Sequence, residues 1–410
     1  MKGAVMKPLN IKSIRLAGFL SFAPDSAPLE LRNLNVLIGP NGSGKSNLIE
    51  AFELLHATPT AFANAIRDGG GAEEWLWKGE GRASGATIEA TLSASPTNAR
   101  DLRYLLEFRP VAHRLEIVDE VLEETTPRSV NAKDVFFFYR FQGGHPAINT
   151  RKAGHKVEQP KASDYVSRRI ERQALRPDES VLSQRKEPDL YPEVAWLGSE
   201  FARIQTFREW SFGRYAELRR PQSASLPSDV LAADSRNLGM VLNELEHRGH
   251  APEFNRCLKR FFPRFERMST RVIGGTVQFY LHESGFGAPI PATRLSDGTI
   301  RFLALLATLL NPEPPPLVCI EEPELGLHPD SLLLIAELLV EASARMQLVV
   351  TTHSDVLVSA LTEHAESVLV CERIAGASQL RRVESGKVQD WLDRYRLGDL
   401  WRIGELGGNP

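Results

Sequence analysis

The sequence predicts an α/β fold with a mostly parallel core sheet, an antiparallel β lobe and a helical lobe. Three patterns carry the prediction. Near the start, an apolar strand runs into a glycine loop and then a helix. Between Ile88 and Arg140, apolar residues alternate with polar ones. Late in the chain, short apolar strands are separated by long apolar helices, the spacing of parallel β units.

In chain order, strands are expected at Ile11–Phe22 and Leu29–Ile38, with Pro24 and Pro28 in the turn between them. A helix follows from Ser46, because Leu48, Ile49, Phe52 and Leu55 recur at helical spacing with no breaker before Pro59. The alternating set Ile88, Ala90, Leu92, Tyr104, Leu106, Phe108, Leu115 and Ile117 reads as antiparallel strands. Helical spacing returns from Asn237 to Phe265, and Val272–Leu281 is a strand. The closing region alternates helices at Ile300–Leu310, Ser331–Ala344 and Asp355–Leu361 with strands at Leu317–Ile320, Leu348–Val350 and Val368–Val370.

At 410 residues, with 42% hydrophobic and 25% charged, the composition excludes wholesale disorder and a fibre. Forty-nine Lys plus Arg against 52 Asp plus Glu leave a formal charge of −3, so any polyanion contact must be local. Three well-separated cysteines, Cys257, Cys319 and Cys371, do not make a disulfide framework and read as buried thiols in a reducing compartment. No apolar run approaches the roughly 20 residues that span a bilayer, and the first residues lack an apolar signal core. A soluble, cytoplasmic protein is expected.

Gly39, Pro40, Asn41, Gly42, Ser43, Gly44, Lys45 and Ser46 satisfy Gly-x-x-x-x-Gly-Lys-Ser, after a strand and opening a helix. Such glycines let backbone N–H groups converge on a di- or triphosphate. The lysine neutralises the β and γ oxygens, and the serine hydroxyl is placed to ligate Mg²⁺. A second signal is Leu317-Val318-Cys319-Ile320-Glu321-Glu322, an apolar strand ending in two carboxylates. Glu321 is expected to hold Mg²⁺ through its water shell, and Glu322 to orient or deprotonate the attacking water. Two further elements face anions at helix starts or strand ends: Leu295-Ser296-Asp297-Gly298-Thr299, and Thr351-Thr352-His353-Ser354, where His353 can reach a γ-phosphate or its water.

These four elements in this order, with Gly326-Leu327-His328-Pro329 after the acids, closely resemble the P-loop ABC-type ATPase heads of the RecF-like and SMC-like branch of AAA family ATPases. They also resemble the ATPase part of overcoming-lysogenization-defect proteins, which often write the strand end as Glu-Glu-Pro-Glu, as Glu321 to Glu324 do. The resemblance covers Ile11 to Leu55 and Arg294 to Ser354. It implies that Gly39–Ser46 is Walker A, Leu295–Thr299 the signature, Leu317–Glu322 Walker B, Leu325–Pro329 the D-loop and His353 the switch histidine. Glu321 stands where most ABC ATPases have Asp. The Q-loop glutamine is either Gln142 or Gln205.

The resemblance further implies a homodimer sandwiching two ATP, with Ser296 and Gly298 of one chain facing the γ-phosphate held by Lys45 of the other. The cofactors are then ATP and Mg²⁺. The expected domain is one split head: 1–86 with Walker A, 87–150 as the β lobe, 151–290 as a basic insertion and helical lobe, and 291–410 with the other motifs. The stretch between Ser46 and Ser296 is too long for a transporter subunit and lacks the heptads of SMC arms. The stretch after His353 is too short for a nuclease domain, so any nuclease is expected in another chain.

DNA is a candidate partner. Residues 151–186 hold ten Lys or Arg against five acids, and Arg168, Arg169, Arg172 and Arg176 are spaced for one helical face. Arg256, Lys259, Arg260, Arg264 and Arg267 make a second basic helix. Either is a phosphate contact or a solvated face. Trp391, Tyr395 and Trp401 are expected to pack a C-terminal helix on the core. Two functions fit: an ATP-dependent clamp on DNA in repair or genome maintenance, or an ATPase scaffold of an antiphage defence system controlling a partner nuclease.

Overall fold

The computed structural model describes residues 9–96, 98–142, 145–152, 160–208, 210, 212–384, 386, 391 and 394–408; at Gln142 it describes the backbone alone. Strands β1 (Ile11–Ala17), β2 (Leu29–Glu30) and β3 (Leu34–Ile38) lead into helices α1 (Lys45–Ala57) and α2 (Phe62–Asp68). Then come β4 (Ala86–Leu92), β5 (Leu102–Val111), β6 (Arg114–Glu124), β7 (Phe137–Gln142), β8 (His145–Arg151) and β9 (Tyr165–Arg169). Helices α3 (Val181–Gln184) and α4 (Pro192–Ala202) precede β10 (Gln205–Phe207) and β11 (Gln222–Ser223). After α5 (Leu238–His247) and α6 (Ala251–Phe261), β12 (Phe265–Ile273), β13 (Thr276–Glu283) and β14 (Ile290–Pro291) form a small sheet with β11. The closing run is α7 (Asp297–Leu309), β15 (Leu317–Glu321), α8 (Leu332–Ser343), β16 (Gln347–Thr351), α9 (Asp355–Ala360), β17 (Val368–Ile374) and β18 (Ala377–Arg382), with a last helix at Leu397–Arg402.

Two compact units divide these elements. One takes the chain up to Asn33, Gly39–Ile204 and Val370–Arg381; the other takes Leu34–Ile38, Gln205–Leu369 and the chain from Arg382 onward.

The first unit is built on an eight-stranded antiparallel sheet in the order β2-β1-β4-β5-β6-β7-β8-β9. The period-two pattern sets its faces: Ala86, Ile88, Ala90 and Leu92 on β4, and Leu102, Tyr104, Leu106 and Phe108 on β5, are all fully buried. Phe62 of α2 meets Phe108 edge-on at 5.6 Å, and Phe201 of α4 meets Tyr104 at 5.4 Å, so helices cover that face. The sheet takes in Ile11–Ala17 at one side and runs to Arg169 at the other. Arg168 and Arg169 are therefore on a strand, and Arg172 sits in a short 3₁₀ turn; the helical face expected for these arginines does not form. Val166 explains why: β-branched and alternating with polar residues, it extends the pairing with β8 instead of starting a helix.

The second unit carries the parallel strands β10-β15-β16-β3 in register, so Glu321, Thr351 and Leu37 lie abreast at one end. Near-continuous apolar runs make β3, β15 and β16 buried on both faces, as parallel sheets require. Helix α8 packs on β16 and β3, and α7 packs on α8, with ten consecutive residues of α7, Ile300 to Leu309, buried. The single strand expected at Val272–Leu281 is instead two, β12 and β13, because Gly274 and Gly275 both take positive φ (57° and 78°) and close a two-residue turn. Of the second basic helix, Arg256, Lys259 and Arg260 are on α6, while Arg264 follows it and Arg267 is on β12. The last helix packs on α9 with Trp401 fully buried, whereas Trp391 and Tyr395 are exposed. All three cysteines are buried free thiols. Among the described residues, no helix is long and apolar enough to cross a membrane.

Candidate functional site

The glycine-rich loop Gly39–Ser46 belongs to the first unit. Its shape depends on two glycines. Gly39 has φ +145° and a Cβ there would lie 2.1 Å from the Cys371 carbonyl oxygen; Gly44 has φ +105° and a Cβ would lie 2.1 Å from Ser378 Oγ. Only a residue without a side chain lets the backbone approach so closely. The loop is tied down through a carbonyl. The oxygen of Ser43 accepts from Ser378 Oγ (2.6 Å) and Cys371 Sγ (3.0 Å), and the Ser378 and Ser21 hydroxyls are hydrogen-bonded to each other at 2.6 Å. Asn47 on α1 donates to the same Ser21 hydroxyl at 2.7 Å.

Lys45, buried at the first position of α1, donates from Nζ to the Gly39 and Pro40 carbonyl oxygens at 2.7 and 3.0 Å. Its ammonium is thus held across the loop itself. Ser43 Oγ is buried with no hydrogen-bond partner, a polar atom enclosed within the loop. With no acidic residue in the first turn of the 13-residue helix behind it, the loop presents a helix N-terminus and a cation together.

In the second unit, β15 is buried through Ile320 and ends at Glu321, whose Oε2 pairs with Arg208 Nε at 3.1 Å. Arg208 comes directly after β10, which runs parallel to β15, so the neighbouring strand delivers it. Glu322 then takes a left-handed conformation, φ +46°, costly for a residue with a Cβ. Its neighbours hold it there. The Glu322 N–H donates to the Thr351 carbonyl (3.0 Å), and the Glu322 carbonyl accepts from Arg301 Nη1 (3.1 Å). The turned backbone brings Glu322 Oε1 to 3.8 Å from His353 Nε2.

Glu324 secures the other side of the pair. Its Oε1 accepts from Thr352 Oγ1 (2.7 Å) and the His353 N–H (2.8 Å), while Oε2 is buried without a partner. Arg301 comes from α7, the helix opened by Ser296. Its guanidinium lies 5.5 Å from both the Trp210 and Phe212 ring centroids, and burial pulls its pKa down against the opposing charges of Glu324 and Glu322. Sequence reasoning passed over Glu324, Arg301 and Arg208. Glu324 was legible, as the last acid of Glu-Glu-Pro-Glu; the two arginines carry no local signal and are placed by the fold.

Ser296 caps α7, its Oγ accepting from the Thr299 N–H at 3.1 Å. Asp297 pairs with the buried Arg219, which also donates to the Leu295 carbonyl at 2.6 Å, so the turn before the helix is rigid. A Cβ on Gly298 would lie 2.7 Å from the Gly326 carbonyl oxygen, so the Ser-Asp-Gly turn rests on the turn after the acids. The second unit therefore gathers Glu321, Glu322, His353, Ser296 and Gly298 through Arg301 and Gly326. Gly39, Lys45 and Ser46 belong to the first unit and follow β3, whose end lies abreast of Thr351. Gln205 opens β10 opposite Val318, on a strand rather than a loop; the Gln142 side chain lies outside the described residues.

Residues 34–359 match the family described as AAA domain, putative AbiEii toxin, Type IV TA system. The chain belongs to this family. It is an ATP-binding AAA-family ATPase domain, and its α/β head, with one antiparallel and one largely parallel sheet, has the fold of SMC head domains. The SMC head crystallised with the C-winged helix domain of ScpA superposes with a TM-score of 0.58 at 14% identity, covering 93% of this chain and 99% of that one. The Pyrococcus furiosus Smc head with an extended coiled coil, bound to the C-terminal domain of ScpA, gives 0.57 at 14% identity over 94% and 99%. A 45-residue stretch of the chain is 56% identical to the chromosome partition protein Smc of Desulfitobacterium hafniense (strain Y51), covering 11% of this chain and 4% of that protein.

The family implies Mg²⁺ beside the nucleotide. The donor chemistry suits a hard cation in each unit taken by itself: the first offers the Ser46 hydroxyl, and the second offers the Glu321 carboxylate together with Glu324, one of whose oxygens is buried without a partner.

Proposed function

We propose that the protein is a Mg²⁺-dependent ATPase of the RecF-like kind, whose chains close as a dimer on two ATP and so grip DNA in repair or genome maintenance. The observation that carries this is the Glu322–His353 pair, held at a parallel-sheet edge by a strained backbone, Thr351 and Glu324. Glu322 accepts a proton from the attacking water, and His353 hydrogen-bonds the γ-phosphate or that water. Lys45 leaves its two carbonyl partners to neutralise the β and γ oxygens. Ser46 and Glu321 are the residues that would hold Mg²⁺, and the ion would supply charge neutralisation to the phosphates.

In this reading Ser296 and Gly298 of one chain complete the nucleotide site of the other, so the dimer depends on the γ-phosphate and loosens on hydrolysis. Glu322→Gln should slow turnover by about 10²- to 10⁴-fold and trap a dimer with ATP. Light scattering that shows monomer mass for this variant at saturating ATP defeats the sandwich.

The family description, which names a putative toxin of a type IV system, favours a second reading: an ATPase scaffold of an antiphage defence system that controls a partner nuclease. Recovery of a nuclease with the ATP-trapped variant, and no effect of DNA on turnover, would select it.

A further inference from the structure

The ribbon formed by β12 and β13 has two unlike faces. Met268, Val277, Phe279 and Leu281 are buried beneath α5 and α6. The opposite face carries Arg267, Ser269 and Arg271 on β12, across from His282, Tyr280 and Gln278 on β13. Five of these side chains, all but Arg267, are organised among themselves. Ser269 Oγ and His282 Nε2 are 2.9 Å apart, Tyr280 donates to Gln278 Oε1 at 2.9 Å, and the Arg271 guanidinium lies 5.1 Å from the Tyr280 ring centroid.

The charge on this face is one-sided. Arg264, Arg267 and Arg271 are exposed, and among the described residues none has a carboxylate within ion-pair distance. Glu266, the bulged residue beside Arg267, and Glu283 at the base of the ribbon are the acids of the two strands, while Glu246 is on the helical side, accepting from Thr270 Oγ1 at 2.9 Å. At the tip, Val272 and Ile273 are 58% and 69% exposed around the Gly274–Gly275 turn.

We propose that this outer face of the β12–β13 ribbon is a docking surface for duplex DNA, with Arg267 and Arg271 on phosphates and the Ser269, Gln278, Tyr280 and His282 groups toward the groove. Charge complementarity selects the occupant. A two-stranded ribbon has the width to enter a major groove, and planar guanidiniums interleaved with hydroxyl, amide and imidazole groups suit phosphates and base edges. A lipid surface would call for a continuous apolar stripe, and here apolar exposure is confined to the tip. The inference rests on the DNA reading above and locates it.

The test is fluorescence anisotropy of a labelled short duplex across a salt series, with the wild type and Arg267→Gln/Arg271→Gln. The variant is expected to bind at least about tenfold more weakly, with a log–log salt slope shallower by about 2. Its melting temperature and binding of a fluorescent ATP analogue should be unchanged. Equal binding by variant and wild type overturns this face as the contact while leaving the DNA reading intact. No duplex binding by the wild type at low salt removes both. Binding to phosphatidylserine vesicles and not to duplex, lost in the variant, overturns the choice of partner.

Discussion

Glu322 shows how a single backbone angle can serve chemistry. A strand ending in two acids would splay them to opposite faces, but the left-handed turn at Glu322 breaks that alternation and points its carboxylate at His353. The strain is held by Thr351 and Arg301, so Arg301→Met should lower turnover through misplacement of Glu322. A fall in kcat of about tenfold or more with unchanged nucleotide affinity is expected, measured by steady-state kinetics and analogue binding. Glu324→Gln keeps the hydrogen bonds to Thr352 and His353 and should be mild. Glu324→Ala removes two acceptor contacts, at roughly 1.5–3 kcal/mol each for bonds to a charged group, and should lower both Tm and kcat. Glu324 was legible as a residue but not as an anchor, because its partners are separated from it by a whole helix and strand.

At the scale of elements, the Glu120 cluster under the antiparallel sheet makes a pH-dependent contribution. Burial raises the Glu120 carboxyl to about 7 despite hydrogen bonds from Ser180, the Val181 N–H and Tyr104. A carboxyl that binds its proton more tightly folded than unfolded makes the native state hold the extra proton between about 4.5 and 7, so stability falls as pH rises through that window. Thermal melts should show Glu120→Gln flattening this slope; an unchanged slope would mean another group carries it. Gly298→Ala tests the packing of the Ser-Asp-Gly turn that opens α7. Its Cβ would press on the Gly326 backbone carbonyl, and a loss of about 1–3 kcal/mol in stability is expected from chemical denaturation. The alternation of β4 and β5 and the apolar runs of β15 and β16 were readable because each has one periodicity. The arginines at 168–176 were not, since basic residues at mixed spacing are compatible with helix, strand or turn until a neighbouring strand pairs with them.

For the whole molecule, the proposed DNA role predicts that duplex stimulates turnover in the wild type and that Lys45→Ala abolishes turnover with and without duplex; ATPase assays with and without duplex measure both. The chain's own order of residues made the Gly39–Ser46 glycine loop, the acid-tipped strand and the Ser296 cap legible, and with them the AAA-family ATPase domain, because each is a local pattern of glycines, hydroxyls or carboxylates whose chemistry is set within a few positions. Only the tertiary structure decided that Arg208 faces Glu321, that Arg301 and Glu324 hold the Glu322–His353 pair, and that Gly274–Gly275 folds one expected strand into a ribbon with a polar face. Those outcomes depend on pairing and packing between segments far apart in sequence, where burial and backbone hydrogen bonding outweigh local preference.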